Sequence, residues 1–230
     1  MSVRIAAALL LGLAASGDAG ASPAEGADDA RARAAFDRTK RTDATYALYS
    51  WNWVKGAGFE TGPHWSAEFH RGRLHRVETP HIRVVADCAA GTGTLLNVAT
   101  GRSETGPAPA RAACGINSNS PIRNLEYLGR VDSRFGKLDR LRIRDAADER
   151  LYAVDDSGVL VASEIFPRDP AAGYCVQQEP LAIERSLPAQ DMFSRRSLDR
   201  SFAATRFEAA PGAPVGDLWL GERRCVGGLD

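Results

Sequence analysis

Residues 124–167 have the sequence NLEYLGRVDSRFGKLDRLRIRDAADERLYAVDDSGVLVASEIFP. They contain four short runs in which apolar and polar residues alternate, and turn-forming residues such as Gly136, Asp145 and Gly158 separate the runs. Strands that follow one another at intervals of about 8–12 residues are typical of an antiparallel meander. The stretch therefore predicts four strands, over residues 124–131, 137–144, 150–155 and 159–166.

The same pattern continues on the N-terminal side of this stretch. An aromatic-rich run, Thr45–Val54, predicts a strand. Residues 64–88 predict a hairpin that turns at Arg71–Gly72 and leads into a further strand. Thr94–Thr100 predicts another strand, and the glycine- and proline-rich residues 101–112 predict a flexible loop.

Helices are expected only near the two ends of the mature chain. Asp28–Arg41 begins with two acidic residues, which suit a helix N-terminus. Pro188–Phe202 begins with a proline, which suits the first helical turn, and residues 218–220 predict a last strand. The predicted fold class is therefore mainly β: a curved antiparallel sheet or incomplete barrel with one N-terminal and one C-terminal helix.

The first 21 residues have the pattern of a secretory signal peptide. Arg4 supplies the positive charge, Ile5–Ala15 the apolar run, and Ala19–Ala21 the small residues of a cleavage site. The apolar run is too short to span a bilayer of about 30 Å. We therefore predict a signal peptide over 1–21, a flexible tether over 22–27 and a single β-rich domain over 28–230, without a transmembrane segment.

The basic residues point to a bacterial source. Lysine occurs only at positions 40, 55 and 137, and the remaining basic residues are arginines. This skew is typical of GC-rich bacterial genomes, in which an exported protein enters the periplasm. The expected localisation is therefore export, to the periplasm.

All four cysteines lie after the predicted signal peptide, and an even number of cysteines in an exported chain predicts two disulfides. No CxxC motif or close Cys–His pair gives the spacing of a zinc site. Three pairings are compatible with four cysteines. Sequential pairing closes the shorter loops and is the one expected: Cys88 with Cys114, and Cys175 with Cys225.

Charge and motifs exclude several function classes. The 29 basic and 29 acidic residues give a net charge of zero, which excludes a strongly basic nucleic-acid-binding protein and a polybasic membrane-surface protein. The chain contains no GxSxG, SxxK, HExxH, P-loop or GxGxxG motif. We therefore expect no cofactor and no nucleic-acid partner, and a binding protein is favoured over an enzyme.

The four histidines are clustered between residues 64 and 81. Imidazole is a common metal ligand and general base, so His64, His70, His75 and His81 favour an alternative interpretation as a small periplasmic hydrolase or metal-dependent protein. With a turn at Arg71–Gly72, Glu68 lies opposite His75. Residues on one strand face are about 6–7 Å apart, which is long for ligands of one ion. We therefore expect His75 to pair with Glu68 on a solvated face, and no metal site.

The aromatic residues provide the candidate ligand site. Trp51, Trp53 and Trp65 fall within 15 residues of one another, and Phe69 follows on the predicted hairpin. Neighbouring antiparallel strands bring such residues to one face, and ligand clefts often use aromatic side chains with a few polar groups. We predict that these four residues contact a ligand; the alternative is an ordinary aromatic core.

The central stretch also resembles a known family. Glu126–Pro167 is similar to the central meander of the LolA/RseB-like periplasmic lipoprotein-carrier superfamily. The matching elements are Gly129, Asp145, Asp155, Gly158 and Glu164. The resemblance implies an incomplete antiparallel barrel closed by helices, with an apolar cavity that holds acyl chains or a lipoprotein.

The hypothesis favoured at this stage is an exported, non-enzymatic binding protein that holds a lipid, acyl chain or lipoprotein in an apolar cleft. The histidine-based enzyme is the first alternative, and an envelope structural or interaction module is the second. The identity of the ligand, catalytic activity and oligomeric state do not follow from the sequence.

Overall fold

The computed structural model describes residues 23–40, 44–56, 59–114, 124–145, 148–169, 175–187 and 189–209. The predicted signal peptide, the predicted strand at 218–220 and Cys225 lie outside these ranges. In the part of the chain described, no helix is long and apolar enough to cross a membrane.

The described residues form eleven strands and a few short helices. The helices are α1 (Pro23–Arg38), α2 (Pro107–Ala113) and α3 (Ala204–Glu208), with 3-10 turns at Asp191–Phe193 and Arg195–Asp199. The first six strands are β1 (Thr45–Gly56), β2 (Phe59–Arg71), β3 (Leu74–Glu78), β4 (Ile82–Asp87), β5 (Thr92–Asn97) and β6 (Ser103–Gly106). The other five are β7 (Asn124–Ser133), β8 (Gly136–Arg144), β9 (Asp148–Asp155), β10 (Leu160–Pro167) and β11 (Cys175–Glu184).

All eleven strands belong to one antiparallel sheet, in the order β6-β5-β4-β3-β2-β1-β11-β10-β9-β8-β7, which does not close into a barrel. Two meanders, β1–β6 and β7–β11, therefore meet where β1 pairs with β11, from Ala47 opposite Glu184 to Lys55 opposite Cys175. The predicted fold class and the four strands predicted within residues 124–167 are confirmed.

The two faces of the sheet are covered differently. On one, which we call the helix-bearing face, α1 packs through Ala35 and Phe36 against Leu141 and Tyr152. On the same face α2 packs against Val84 and Ala86. On the opposite face, residues 189–209 cover part of the first meander, where Met192, Ala203 and Phe207 pack against Tyr49 and Phe69.

Two predicted segments differ in the structure. Residues 101–112, predicted to be a flexible loop, form β6 and α2. Proline suits the first turn of α2, and burial of Ala110 and Ala113 stabilises the helix against β4. Helix α1 begins at Pro23, not Asp28, and so includes part of the predicted tether.

The helix predicted over Pro188–Phe202 is also wrong. The segment forms two 3-10 turns, and the C-terminal helix lies at α3. The physical reason is a long-range contact: Arg76 donates to the carbonyl oxygens of three of its residues, Met192, Ser197 and Arg200. These hydrogen bonds hold the backbone in the 3-10 turns.

Arg76 and Glu78, both completely buried, hold the C-terminal segment on the opposite face. Arg76 Nε donates to Glu78 Oε1 at 2.6 Å. The two Nη atoms donate to the carbonyl oxygens of Met192, Ser197 and Arg200 and to Ser197 Oγ, at 2.8–3.1 Å. Glu78 accepts from the Ser201 hydroxyl and the Phe202 backbone N–H. A buried charge pair of this kind requires every one of these partners.

Replacing Arg76 with alanine should lower the free energy of unfolding by about 3–5 kcal/mol, because it leaves Glu78 as an unpaired buried charge. Arg73→Ala is the matched control. Arg73 also pairs with a carboxylate, that of Asp87, but 65% of its side chain is exposed, so the loss should be below about 1 kcal/mol. Urea unfolding measures both values, and equal losses would contradict the role assigned to Arg76.

Candidate functional site

A cleft of about 270 Å³ lies on the helix-bearing face, where the C-terminal ends of α1 and α2 leave the sheet uncovered. The first meander contributes Tyr46, Glu68, His70, Gly72 and His75. The remaining lining residues are Thr39 and Ala44, Ala113 and Cys114 at the end of α2, and Tyr152, Gly158, Leu160, Ser163, Ile165 and Gln178 from the second meander. The cleft therefore spans the junction between the two meanders.

Two glycines allow the helices to approach the sheet on either side of the cleft. A Cβ atom at Gly158 would lie 2.2 Å from the backbone oxygen of Arg38, and Gly158 has a positive φ of 89°. A Cβ atom at Gly93 would lie 2.8 Å from the backbone nitrogen of Ala110. Any other residue would push α1 or α2 away, so these positions set the walls of the cleft.

A chain of polar groups crosses the floor of the cleft. Ser163 Oγ lies 3.2 Å from Gln178 Oε1, and Gln178 Nε2 lies 3.2 Å from Ser50 Oγ and 3.5 Å from Glu68 Oε1. Glu68 Oε2 is 3.5 Å from His70 Nε2. These contacts connect β10, β11, β1 and β2 through side chains alone.

The chain continues through two histidines into α2. His70 Nδ1 lies 3.1 Å from His75 Nε2, and His75 Nδ1 lies 3.3 Å from the carbonyl oxygen of Ala113. A carbonyl only accepts, so His75 Nδ1 carries a proton in this arrangement. Neutral His75 then accepts at Nε2, and His70 donates from Nδ1.

Burial keeps three of the cleft groups uncharged, His75, Tyr46 and Tyr152. Burial, followed by the neighbouring charge of His70, lowers the pKa of His75 from 6.5 to about 4, against the hydrogen bond to Ala113. Burial, followed by the charges of Glu68 and Asp155, raises the pKa of Tyr46 well above its usual value. Burial likewise raises the pKa of Tyr152. Near neutral pH the cleft therefore presents a neutral imidazole and two phenol hydroxyls.

The histidine pair arises because the hairpin turn lies one residue later than predicted, which shifts the residue opposite each β2 position by two. The two turn residues are Gly72 and Arg73, so His70 lies directly opposite His75, and Glu68 lies opposite Val77. The predicted pairing of His75 with Glu68 is therefore wrong. His64 and His81 lie apart from this pair, and burial followed by the charge of His81 lowers the pKa of His64.

The four predicted ligand contacts lie on the other side of the sheet. Phe207 of α3 stacks on Trp65 at 5.1 Å between ring centroids and meets Trp51 edge-on at 5.2 Å. Phe69 and Trp53 are buried. The aromatic residues do belong to neighbouring strands, but the C-terminal segment covers Trp51 and Trp65. Ligand contact at these residues stays a prediction and requires Phe207 to move.

The disulfide pattern agrees with the predicted pairing as far as the described residues allow. Cys88 and Cys114 form a disulfide, which joins the end of β4 to the end of α2. Cys175 is also disulfide-bonded, and its predicted partner Cys225 lies outside the described residues. The first disulfide fixes the α2 wall of the cleft.

No protein-family model and no curated protein matches the chain, but solved structures do. An uncharacterised conserved protein from Thermus thermophilus is 14% identical, with a TM-score of 0.47 over 72% of this chain and 93% of that one. A putative outer membrane lipoprotein-sorting protein domain from Vibrio parahaemolyticus is 10% identical, with a TM-score of 0.40 over 74% and 98%. A LolA superfamily protein from Nitrosomonas europaea is 6% identical, with a TM-score of 0.39 over 73% and 99%.

The remote similarity to LolA-like proteins that the sequence predicts is thus found in the structure as well. Similarity at this level indicates nothing about ligand or activity.

Buried His75 predicts an acid-sensitive fold. The free energy of unfolding should be highest above pH 6.5 and should fall as the pH drops towards about 4. In this range the histidine binds a proton in the unfolded chain but stays neutral in the folded protein, because its pKa there is lowered to about 4. We expect His75 to account for a decrease of about 3 kcal/mol in the free energy of unfolding. His75→Gln should remove this part of the pH dependence, whereas His81→Gln, at an exposed position, should keep it. Urea unfolding at several pH values measures both, and equal slopes for wild type and His75→Gln would contradict the assignment.

Proposed function

We propose that this chain is an exported, non-enzymatic binding protein that holds the apolar chain of a lipid or lipoprotein in the cleft between α1 and α2. The observation that carries the proposal is the cleft itself, a cavity walled by two helices on one face of an open antiparallel sheet. The Cys88–Cys114 disulfide supports export, since disulfides persist in oxidising compartments.

The walls of the cleft suit an apolar chain. Tyr46, Tyr152, Leu160, Ile165 and Ala113 supply apolar surface. A volume of about 270 Å³ is slightly below that of a drug-sized pocket, roughly 300–1,000 Å³. It accommodates a segment of one acyl chain, so the remainder of a larger ligand extends beyond the cleft.

The polar groups of the cleft favour a particular head group. Among the described residues that line it there is one carboxylate, that of Glu68, and no lysine or arginine. Gln178 and Ser163 offer neutral hydrogen-bonding groups next to Glu68. The cleft therefore favours a neutral head group that donates hydrogen bonds, such as a glycerol hydroxyl, over an anionic one.

The aromatic face is part of the same proposal as a second contact surface. Trp51, Trp53, Trp65 and Phe69 would meet a ligand only after α3 moves, because Phe207 packs against Trp51 and Trp65. A ligand that enters the cleft leaves this packing unchanged. Variants on the two faces therefore distinguish the two surfaces.

Blocking the cleft should abolish amphiphile binding. We expect the fluorescent probe N-phenyl-1-naphthylamine to bind saturably to the mature protein, and 1-monodecanoylglycerol to displace it more strongly than decanoate does. Ile165→Trp fills the cleft and should weaken probe binding at least about tenfold, since overpacking leaves no room for a guest. Fluorescence titration measures each affinity.

The control variant introduces a tryptophan at an exposed position outside the cleft. Val98 is the exposed large apolar residue among those described, and Val98→Trp should leave binding unchanged. Loss of binding in Phe207→Ala with full binding in Ile165→Trp would move the site to the aromatic face. Absence of saturable binding in the wild type would overturn the proposal.

A further inference from the structure

His75 lies beside the Cys88–Cys114 disulfide. One ring nitrogen of His75 and the two sulfur atoms all lie within 4.8 Å of one another. His75 is only 5% exposed, and both cysteines are half-buried. Two sulfurs and one imidazole in this arrangement are the donor types of a zinc site with an open fourth position.

We propose that reduction of the Cys88–Cys114 disulfide converts this cluster into a zinc-binding site formed by both thiolates and His75. In the oxidised protein the sulfurs are bonded to each other and carry no thiolate charge, so no metal binding is expected. The site goes beyond the proposed function, because it binds an ion in one redox state and does not depend on any amphiphile.

The redox step requires a dithiol reductant. The dithiol transfers two electrons and two protons to the disulfide, which becomes the two thiols of Cys88 and Cys114, while the dithiol forms its own disulfide. Zn²⁺ then binds both sulfurs and displaces the two thiol protons to solvent.

The distances fit such a site with small side-chain movements. Zinc binds sulfur at about 2.3 Å and nitrogen at about 2.0–2.1 Å, so tetrahedral ligand atoms are roughly 3.3–3.8 Å apart. The His75 nitrogen is within 4.8 Å of both sulfurs already. The sulfurs must separate from their bonded distance, which rotation of the cysteine side chains achieves while the Cα atoms stay 5.8 Å apart.

Glu68 and His70 provide the support that a metal-binding histidine requires. A ligating imidazole usually donates its other N–H to an acceptor, and carboxylates often end such chains. Zinc at His75 Nδ1 takes the place of the Nδ1 proton, and both rings then change tautomer: His75 Nε2–H donates to His70 Nδ1, and His70 Nε2–H faces Glu68. The contact with His70 therefore holds the His75 ring in place.

Cobalt titration of the reduced protein tests the proposal. Reduction with a phosphine, removal of the reductant without oxygen and addition of Co²⁺ should give thiolate-to-cobalt charge-transfer absorption that saturates at one ion per chain. The Cys175→Ser, Cys225→Ser double variant removes the other two cysteines and should keep this signal. The oxidised protein should show none, and Zn²⁺ should displace Co²⁺ from the reduced form.

Two histidine variants distinguish the role of His75 as a zinc ligand from the role of His70 as its supporting residue. His75→Gln should lower the Zn²⁺ affinity of the reduced protein by at least about 100-fold, and His70→Asn by about 10–100-fold, the usual cost of losing a supporting group. Far-UV circular dichroism reports whether each reduced variant is folded. The proposal is overturned if the reduced wild type shows no thiolate–cobalt signal. It is equally overturned if His75→Gln or the Cys88→Ser, Cys114→Ser variant binds Zn²⁺ as tightly as wild type.

Discussion

The pairing of β1 with β11 is the constraint on which the cleft depends. It joins two meanders that each fold from local hairpins, and it runs from Ala47 to Lys55 along β1. Every pair of cleft residues on opposite sides of it, such as His70 and Gln178, comes together only through this ladder. A pairing between strands more than 100 residues apart has a large loop-closure cost, so the buried contacts around Leu48 and Val161 must offset it.

The two faces of the sheet have different roles. Over the first meander the opposite face is covered by residues 189–209, which the buried Arg76–Glu78 pair holds in place through backbone carbonyls and N–H groups. Because these contacts are made to the backbone, the segment is fixed in one conformation with little regular secondary structure. Among the described residues, α1 and α2 cover the helix-bearing face, and their ends leave the cleft open. A guest can therefore enter the cleft on the helix-bearing face without displacing residues 189–209.

Local patterns were sufficient to predict most of the strands but not the site. The alternation in residues 124–167 and the turn residues between runs depend on neighbours in sequence, and β7–β10 follow from them. The histidine pair depends on the position of the hairpin turn, because moving the turn by one residue changes the residue opposite each β2 position by two. The 3-10 turns depend on Arg76, more than 100 residues away, and no local signal reports such a contact. The sequence predicts that the tryptophans lie on neighbouring strands. It does not predict that Phe207, from a distant part of the chain, packs over them.

The polar chain and the disulfide meet at the same wall of the cleft. Ala113 accepts from His75 and is followed by Cys114, and both residues line the cleft at the end of α2. Cys88 ties that end to β4, while the close approach of Ala110 to Gly93 holds the helix further along. Breaking the disulfide therefore removes the covalent tie at the end of α2, while the packing of its middle against Gly93 remains. The redox state of these sulfurs bears on the cleft wall, because Cys114 is itself one of the lining residues.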